Sequence, residues 1–473
     1  MLFNSFPFFI FLPIAFIFYW LLNDKYRWIL LLAASYYFYS GWGLWYVMLL
    51  ASTTIIDYFI ALQIEKAVSK QKKKLFLIIS LSCNLLVLLG FKYFTFLFNS
   101  GAFLMQHFDN NEVHYLAQIV IPVGLSFYTF QSIAYSIDVY RGEVIPEKNI
   151  ARFALFVSFF PQLVAGPVER FNNLMPQLKK RTNFVFEMLF PAIRIAVWGF
   201  FKKMVIADRL AEMVDPIFKN IHLYSGSTLL FAGFLFAVQV YCDFSGYTDI
   251  ATGVAKLFGI QLSLNWRRPL LSSSLIEFWK RNHISITSWF RNYLYIPLGG
   301  NKVSYGRWLF NIFLVFLISG LWHGASWTFV LWGAMHGVLY CIELVFNKKF
   351  PNLKWRFGLG HVYLLLFHTV SIIAFRAASS VDLFVIYHKI ISSFNIGLLG
   401  KEVFSLSDTF SILFSLGMIL FLFMKELQEE TSFIRIPTVI FSNYFRPAFY
   451  ICLFISIFLF GNFNSNQFIY FRF

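Results

Sequence analysis

Residues Gly320–Gly337 read GLWHGASWTFVLWGAMHG. Upstream an apolar run begins near Trp308, and downstream another begins at Trp327. Each approaches the roughly 20 apolar residues that a helix needs to cross a bilayer. The Gly324–Ser326 break between them predicts a turn at one membrane face, with a helix entering and a helix returning. Two histidines, His323 and His336, stand in this otherwise apolar stretch. An ionisable side chain at membrane depth is costly and is by default a candidate for function. His336 lies about ten residues down the returning helix, or about 15 Å at 1.5 Å per residue, half the hydrocarbon thickness. His323 belongs at the turn. Their separation along one helix corresponds to a rotation of roughly 220°, so an unbroken helix does not align the two rings. The spacing is not that of a helical metal site, and no metal is expected.

The composition around this hairpin is that of a membrane protein. Of 473 residues, 59% are hydrophobic and 13% charged, and phenylalanine alone supplies 63. Soluble chains carry about 45–50% apolar and about 25% charged residues. Candidate spans begin near Ser5, Trp28, Leu44, Leu75, Leu116, Phe190, Thr228, Trp308, Trp327, Leu359, Thr409 and Ala448. The first, Ser5 to Leu22, lacks a basic start and a small-residue cleavage site, so it reads as a span and not a signal peptide. The expected fold is an all-α polytopic membrane protein of about 11–13 transmembrane or re-entrant helices. It is read as one integral-membrane domain over 1–473, with N-terminal helices 1–150, a core 151–380 and C-terminal helices 381–473. Cys83, Cys242, Cys341 and Cys452 each stand alone, which supports neither a disulfide framework nor a zinc site.

The formal charge of +16 does not point to nucleic acid, because the basic residues fall in short loops between apolar runs. The five lysines of Glu65–Lys74 (EKAVSKQKKK) place that loop in the cytoplasm. Counting back over three spans puts the N-terminus outside. Counting forward puts the loop from Asn99 to His114, which has no Lys or Arg, outside, and Asp138–Asn149, with Arg141 and Lys148, inside. Lys179–Arg181, Arg267–Lys302 and Lys348–Arg356 follow as cytoplasmic, and the chain ends outside.

Three more stretches carry candidate residues. Phe278–Lys302 (FWKRNHISITSWFRNYLYIPLGGNK), with Arg267 and Arg268 upstream, mixes Lys280, Arg281 and Arg291 with Trp279 and Trp289. It reads either as an interfacial segment held by membrane lipid or as a cytoplasmic collar for an anionic, phosphate-bearing acyl donor such as coenzyme A. His283, on this basic segment, is read as structural. Tyr241–Ile250 holds Asp243 and Asp249, expected to pair with Arg267, Arg268 or Lys256 and support the fold. Gln162–Leu178 has a Gly166–Pro167 break followed by Glu169 and Arg170, read as a re-entrant hairpin with a supporting role.

At these residues the chain resembles the membrane-bound O-acyltransferase family, in its bacterial alginate O-acetyltransferase-like branch. The resemblance rests on LLAASYYFY at Leu31–Tyr39, GPVER at Gly166–Arg170, DFSGYTD at Asp243–Asp249, YLYIPLGGN at Tyr293–Asn301, WHGASWTFVLWG at Trp322–Gly333, FRA at Phe375–Ala377 and the closing QFIYFRF. Asn282 and Asn292 depart from the branch pattern, where Trp and Asp are usual. The resemblance implies a central tunnel across a bacterial cytoplasmic (inner) membrane. It makes His336 the near-invariant active-site histidine and His323 the second, branch-typical one. The expected function is transfer of an acetyl group from a cytoplasmic thioester, acetyl-CoA or an acyl carrier, for O-acetylation of an envelope or exported polysaccharide. A secreted or membrane-anchored relay protein is expected on the outer side, and no permanently bound cofactor. Either histidine would act as a neutral general base on an acceptor hydroxyl. Two alternatives stand beside this: D-alanyl transfer to teichoic acid from a carrier protein, and a non-catalytic transporter of lipid-linked sugars.

Overall fold

The structure, a computed structural model, describes residues 1–105, 121–164, 166–350, 358–406, 408–430 and 445–463. Every regular element among them is a helix. Seven are long and apolar enough to cross a membrane: Leu44–Lys66, Lys70–Gly101, Gly226–Leu257, Tyr305–His323, Trp327–Lys349, Leu359–Arg376 and Thr409–Glu430. Phe6–Leu21 and Pro447–Phe460 are shorter apolar helices. The chain is thus an all-α, multi-pass membrane protein. The span expected near Leu116 and the closing QFIYFRF lie outside the described residues, as do parts of the 99–114 loop and of Lys348–Arg356.

By packing, the chain forms two compact units, Met1–Ala196 with Ile250–Ser263 and Val197–Asp249 with Leu264–Phe473. In the first, Asp57 on Leu44–Lys66 is fully buried and joins neighbouring helices. Its carboxylate accepts from Ser80 Oγ at 2.8 Å and from Asn84 Nδ2 at 2.8 and 3.0 Å. Buried in an apolar setting, such a group is tolerated because its acceptors are satisfied. The Gly166–Pro167 break falls between the short helix Phe160–Leu163 and Phe171–Lys179. There Glu169 is buried, and its carboxylate takes Asn173 Nδ2 and the backbone N–H and hydroxyl of Ser263, while Arg170 is exposed.

The second unit holds a continuous apolar core drawn from Phe201 to Ile457. Its tightest hairpin is the opening stretch of the sequence. Tyr305–His323 ends at the break and Trp327–Lys349 returns against it. A Cβ on Gly320 would lie 2.3 Å from the Phe329 carbonyl oxygen, and one on Gly333 would lie 2.4 Å from that of Phe316. The two backbones therefore approach as only glycine permits.

The aspartates of the 241–250 stretch find partners the sequence did not suggest. A π-helical turn at Phe201–Ala207 brings the consecutive Lys202 and Lys203 both into the interior, 3% and 1% exposed. An α-helix would point them about 100° apart; π-helical turns re-register a helix and recur at functional positions. Lys203 Nζ lies 2.5 Å from Asp243 and 2.8 Å from Asp208. Lys202 Nζ lies 2.7 Å from Asp249 and 2.8 Å from Ser245 Oγ. Asp243 and Asp249 are thus ion-paired by Lys203 and Lys202, where the sequence pointed to Arg267, Arg268 or Lys256.

Candidate active site

His336 sits on Trp327–Lys349 with no exposed surface. Its ring is enclosed by Trp332 at 4.5 Å between centroids, Phe367 at 5.0 Å and Trp279 at 5.5 Å. Both ring nitrogens have polar partners. The indole Nε1 of Trp279 is 3.3 Å from Nδ1, and Ser371 Oγ is 3.1 Å from Nε2. These contacts select a tautomer. An indole N–H only donates, so Nδ1 carries the lone pair. In the neutral ring the proton is then on Nε2 and points to Ser371 Oγ. The serine hydroxyl in turn donates to the His368 carbonyl at 3.1 Å, which leaves its oxygen free to accept. The neutral imidazole thus keeps one lone pair, on Nδ1, which an indole holds at the long end of hydrogen-bonding distance.

His323 ends the preceding helix and is 7% exposed. Its ring lies 5.1 Å from Trp332 and 5.3 Å from Phe375. Trp332 packs against both histidines, so the indole separates the two imidazoles. The two histidines stand on different helices on either side of the 324–326 break, so the rotation reckoned along one unbroken helix does not apply.

Trp279, which the sequence places in the donor collar, is 8% exposed and donates to Nδ1 of His336. The cause is Glu343, which the sequence reading passed over. Glu343 lies two turns beyond His336 on the same helix and is buried. Its carboxylate accepts from the backbone N–H groups of Leu275 at 2.7 Å and Ile276 at 3.0 Å, and from Tyr363 Oη at 3.1 Å. This fixes the start of the short helix Leu275–Arg281, whose inward face then delivers Trp279 to the histidine. A single acid in the apolar run GVLYCIELVF was the available signal.

The collar is only partly cationic. Arg268 is bound by Glu429 at 3.1 Å and Glu430 at 2.7 Å. Arg281 is bound by Glu277 at 2.5 Å and Glu430 at 2.9 Å. Arg267, Lys280 and Arg291 are exposed, and none forms a salt bridge among the described residues. Trp289 is half-buried beside Tyr293, 5.3 Å between ring centroids. A cavity of about 250 Å³ is lined by Arg291, Tyr295, Trp308, Phe316, Ser319 and Trp279 among others. Its lining thus includes an exposed guanidinium and the indole bonded to His336. Small-molecule pockets commonly span roughly 300–1,000 Å³, so this smaller volume suits a narrow chain.

His283 is 3% exposed and takes a left-handed φ of 46°. Its Nδ1 is 3.3 Å from Asn265 Oδ1, and its ring stacks on Trp266 at 5.6 Å. Burial lowers its pKa from 6.5 to about 3. Between those values the unfolded chain holds a proton that the folded chain does not, so stability falls as pH drops below about 6.5. The expected loss is up to about 1.4 kcal/mol per pH unit. Thermal unfolding of the purified protein from pH 7 to pH 5 checks this against His283→Asn, a residue that tolerates left-handed backbone. An equal pH slope in both proteins rules the assignment out.

The described residues thus form a multi-pass helical membrane protein that encloses a fully buried imidazole between an indole and a serine. Comparison with known proteins gives the class its family: residues 143–379 match the membrane-bound O-acyltransferase family, to which the chain belongs. It is 41% identical over 362 residues to the probable alginate O-acetylase AlgI of Pseudomonas aeruginosa, covering 75% of this chain and 69% of the relative. It is 34% identical over 415 residues to the peptidoglycan O-acetyltransferase of Helicobacter pylori, covering 80% and 77%. A teichoic acid D-alanyltransferase of Bacillus subtilis is 26% identical over 246 residues, covering 49% and 61%. The chain is an O-acyltransferase.

Proposed function

We propose that this protein moves an acetyl group from a cytoplasmic thioester, acetyl-CoA, to a hydroxyl on the outer side of a bacterial cytoplasmic membrane, for O-acetylation of an envelope or exported polysaccharide. The observation that carries the reading is the fully buried His336 with its lone pair on Nδ1, bonded to an indole that also lines the narrow cavity beside Arg291. The similarity to alginate and peptidoglycan O-acetylating relatives supports acetyl as the group and a glycan as its destination. The more distant match to D-alanyltransferases gives the aminoacyl reading less weight, and a plain transporter would need no tautomer-fixed base.

The chemistry follows from the ring. The acceptor hydroxyl gives its proton to Nδ1 of His336 as its oxygen attacks the thioester carbonyl; the C–O bond forms, the C–S bond breaks, and the leaving thiolate takes that same proton from Nδ1, which restores the neutral ring. The Nε2–H bond to Ser371 holds the ring in place as it gains charge. The acceptor hydroxyl belongs to the polymer or to a relay protein on the outer side. His323, beyond Trp332, is placed to guide the acceptor and not to share the proton. Trp279 must release Nδ1 before the hydroxyl can reach it. Trp279→Phe removes that competing donor, so water also gains access to the base. The ratio of thioester hydrolysis to acetyl transfer is expected to rise about fivefold, the worth of roughly 1 kcal/mol; an unchanged ratio with intact protein counts against the release step.

The direction of transfer is tested in sealed vesicles of known orientation. Acetyl-labelled coenzyme A supplied only on the cytoplasmic face is expected to label acceptor on the opposite face. Label confined to the face of addition, or transport of intact donor without ester formation, would sink the proposal.

A further inference from the structure

The first unit holds a second polar cavity, of about 220 Å³, apart from the histidine chemistry. It is formed where the helices Phe6–Leu21 and Asp24–Ser40 meet the start of Ile150–Ser158 and the end of Phe171–Lys179. Six cations line it: Lys25, Arg27, Arg152, Lys179, Lys180 and Arg181. Asp24 is the one carboxylate among its lining residues. Two of the cations are already neutralised, Arg27 by Asp24 and Lys179 by Glu147. Arg27 Nη1 also donates to the Thr182 carbonyl at 2.6 Å, which ties the 179–182 segment over the cavity. Lys25, Lys180 and Arg181 form no salt bridge among the described residues. Arg152 lies over the Trp28 ring at 5.3 Å. The inner wall is apolar, with Leu31, Leu155 and Met175 each 2% exposed or less.

Cations spread over a cytoplasmic rim answer to loop topology alone. Here six of them line one small cavity. Folding gathers them against their repulsion, and an anion with several acceptor oxygens relieves it. Arginine and lysine together at one concave site match phosphate, in planar two-point contacts and as point charge. The aromatic and apolar wall then receives whatever the phosphate is attached to.

We propose that this cavity is a phosphate-ester binding site, taking a phosphate joined to an apolar or aromatic group. An anionic lipid headgroup and the nucleotide of a soluble phosphate ester share that chemistry. The site is independent of the acetyl-transfer reading, since it involves none of the residues around His336.

The test uses the full chain in nanodiscs and reads thermal unfolding. One arm exchanges zwitterionic lipid for phosphatidylglycerol. The other keeps zwitterionic lipid and adds adenosine 3′,5′-bisphosphate. At saturation at least one arm is expected to raise the melting temperature by about 5 °C, less at high salt. The combined variant Arg152→Gln, Lys180→Gln, Arg181→Gln is expected to lose that shift. Lys72→Gln with Lys74→Gln, at exposed positions near the start of the helix Lys70–Gly101, is expected to keep it. If the triple variant does not fold, Arg181→Gln alone, at an exposed position, is expected to reduce the shift. A response in the first arm only assigns the site to lipid, in the second only to a soluble ester, and in both to the shared phosphate. No shift in the native protein, an undiminished shift in the cavity variants, or equal loss in the Lys72/Lys74 variant overturns the proposal.

Discussion

Replacing His336 with alanine is expected to lower acetyl transfer by about 10²–10⁴-fold, the usual worth of a positioned general base. The effect should fall on turnover, because the ring's task is the proton and not the grip on either substrate. Alanine also strips the Trp279 indole and the Ser371 hydroxyl of a buried partner, each a stability cost of about 1–3 kcal/mol. His336→Gln separates the two consequences. Its amide oxygen can accept from the indole and its amide nitrogen can donate to the serine, yet it has no basic nitrogen. Folding close to native with transfer still lost would identify the missing proton acceptor. Acetyl ester on the envelope polymer, measured with expression matched by size-exclusion chromatography, is the readout. Transfer within a few-fold of native in His336→Gln would remove His336 from the chemistry.

The second large effect is on the fold. Lys203→Met is expected to destabilise the protein by about 3–5 kcal/mol, the cost of breaking a buried ion pair from one side. It leaves Asp243 and Asp208 facing each other, 2% and 3% exposed, with the shared cation gone. Methionine fills much of the space, so the loss reports charge and not volume. A fall in melting temperature of about 3–5 °C is expected. Restoring balance with Asp208→Asn and Asp243→Asn in the same chain should recover part of it, since removing both sides of such a pair is far less costly than removing one. A single variant that melts like the native protein would show that the triad carries no net stability.

Much of this protein is legible without coordinates, because the governing quantity is local. A bilayer demands about 20 apolar residues per span and internally satisfied backbones, and both demands are written as unbroken runs along the chain. The Gly320–Gly337 hairpin, the helical class and the interest of His336 follow from that.

The partners of those groups were not legible in this way. Trp279 reaches His336 from 57 positions upstream and Ser371 from 35 downstream. Each contact depends on how one helix is turned about its axis, at about 100° per residue, and on what holds its end. Glu343 anchors the helix bearing Trp279, so a tryptophan read as part of a cytoplasmic collar becomes the residue that sets the histidine's tautomer. In the same way the π-helical turn at Phe201–Ala207 chose Lys202 and Lys203 as the partners of Asp249 and Asp243. Hydropathy sums over neighbours in sequence and so determines that the chain enters the membrane as helices. Hydrogen bonds and ion pairs form between faces of different helices, and only their packing decides which side chains meet.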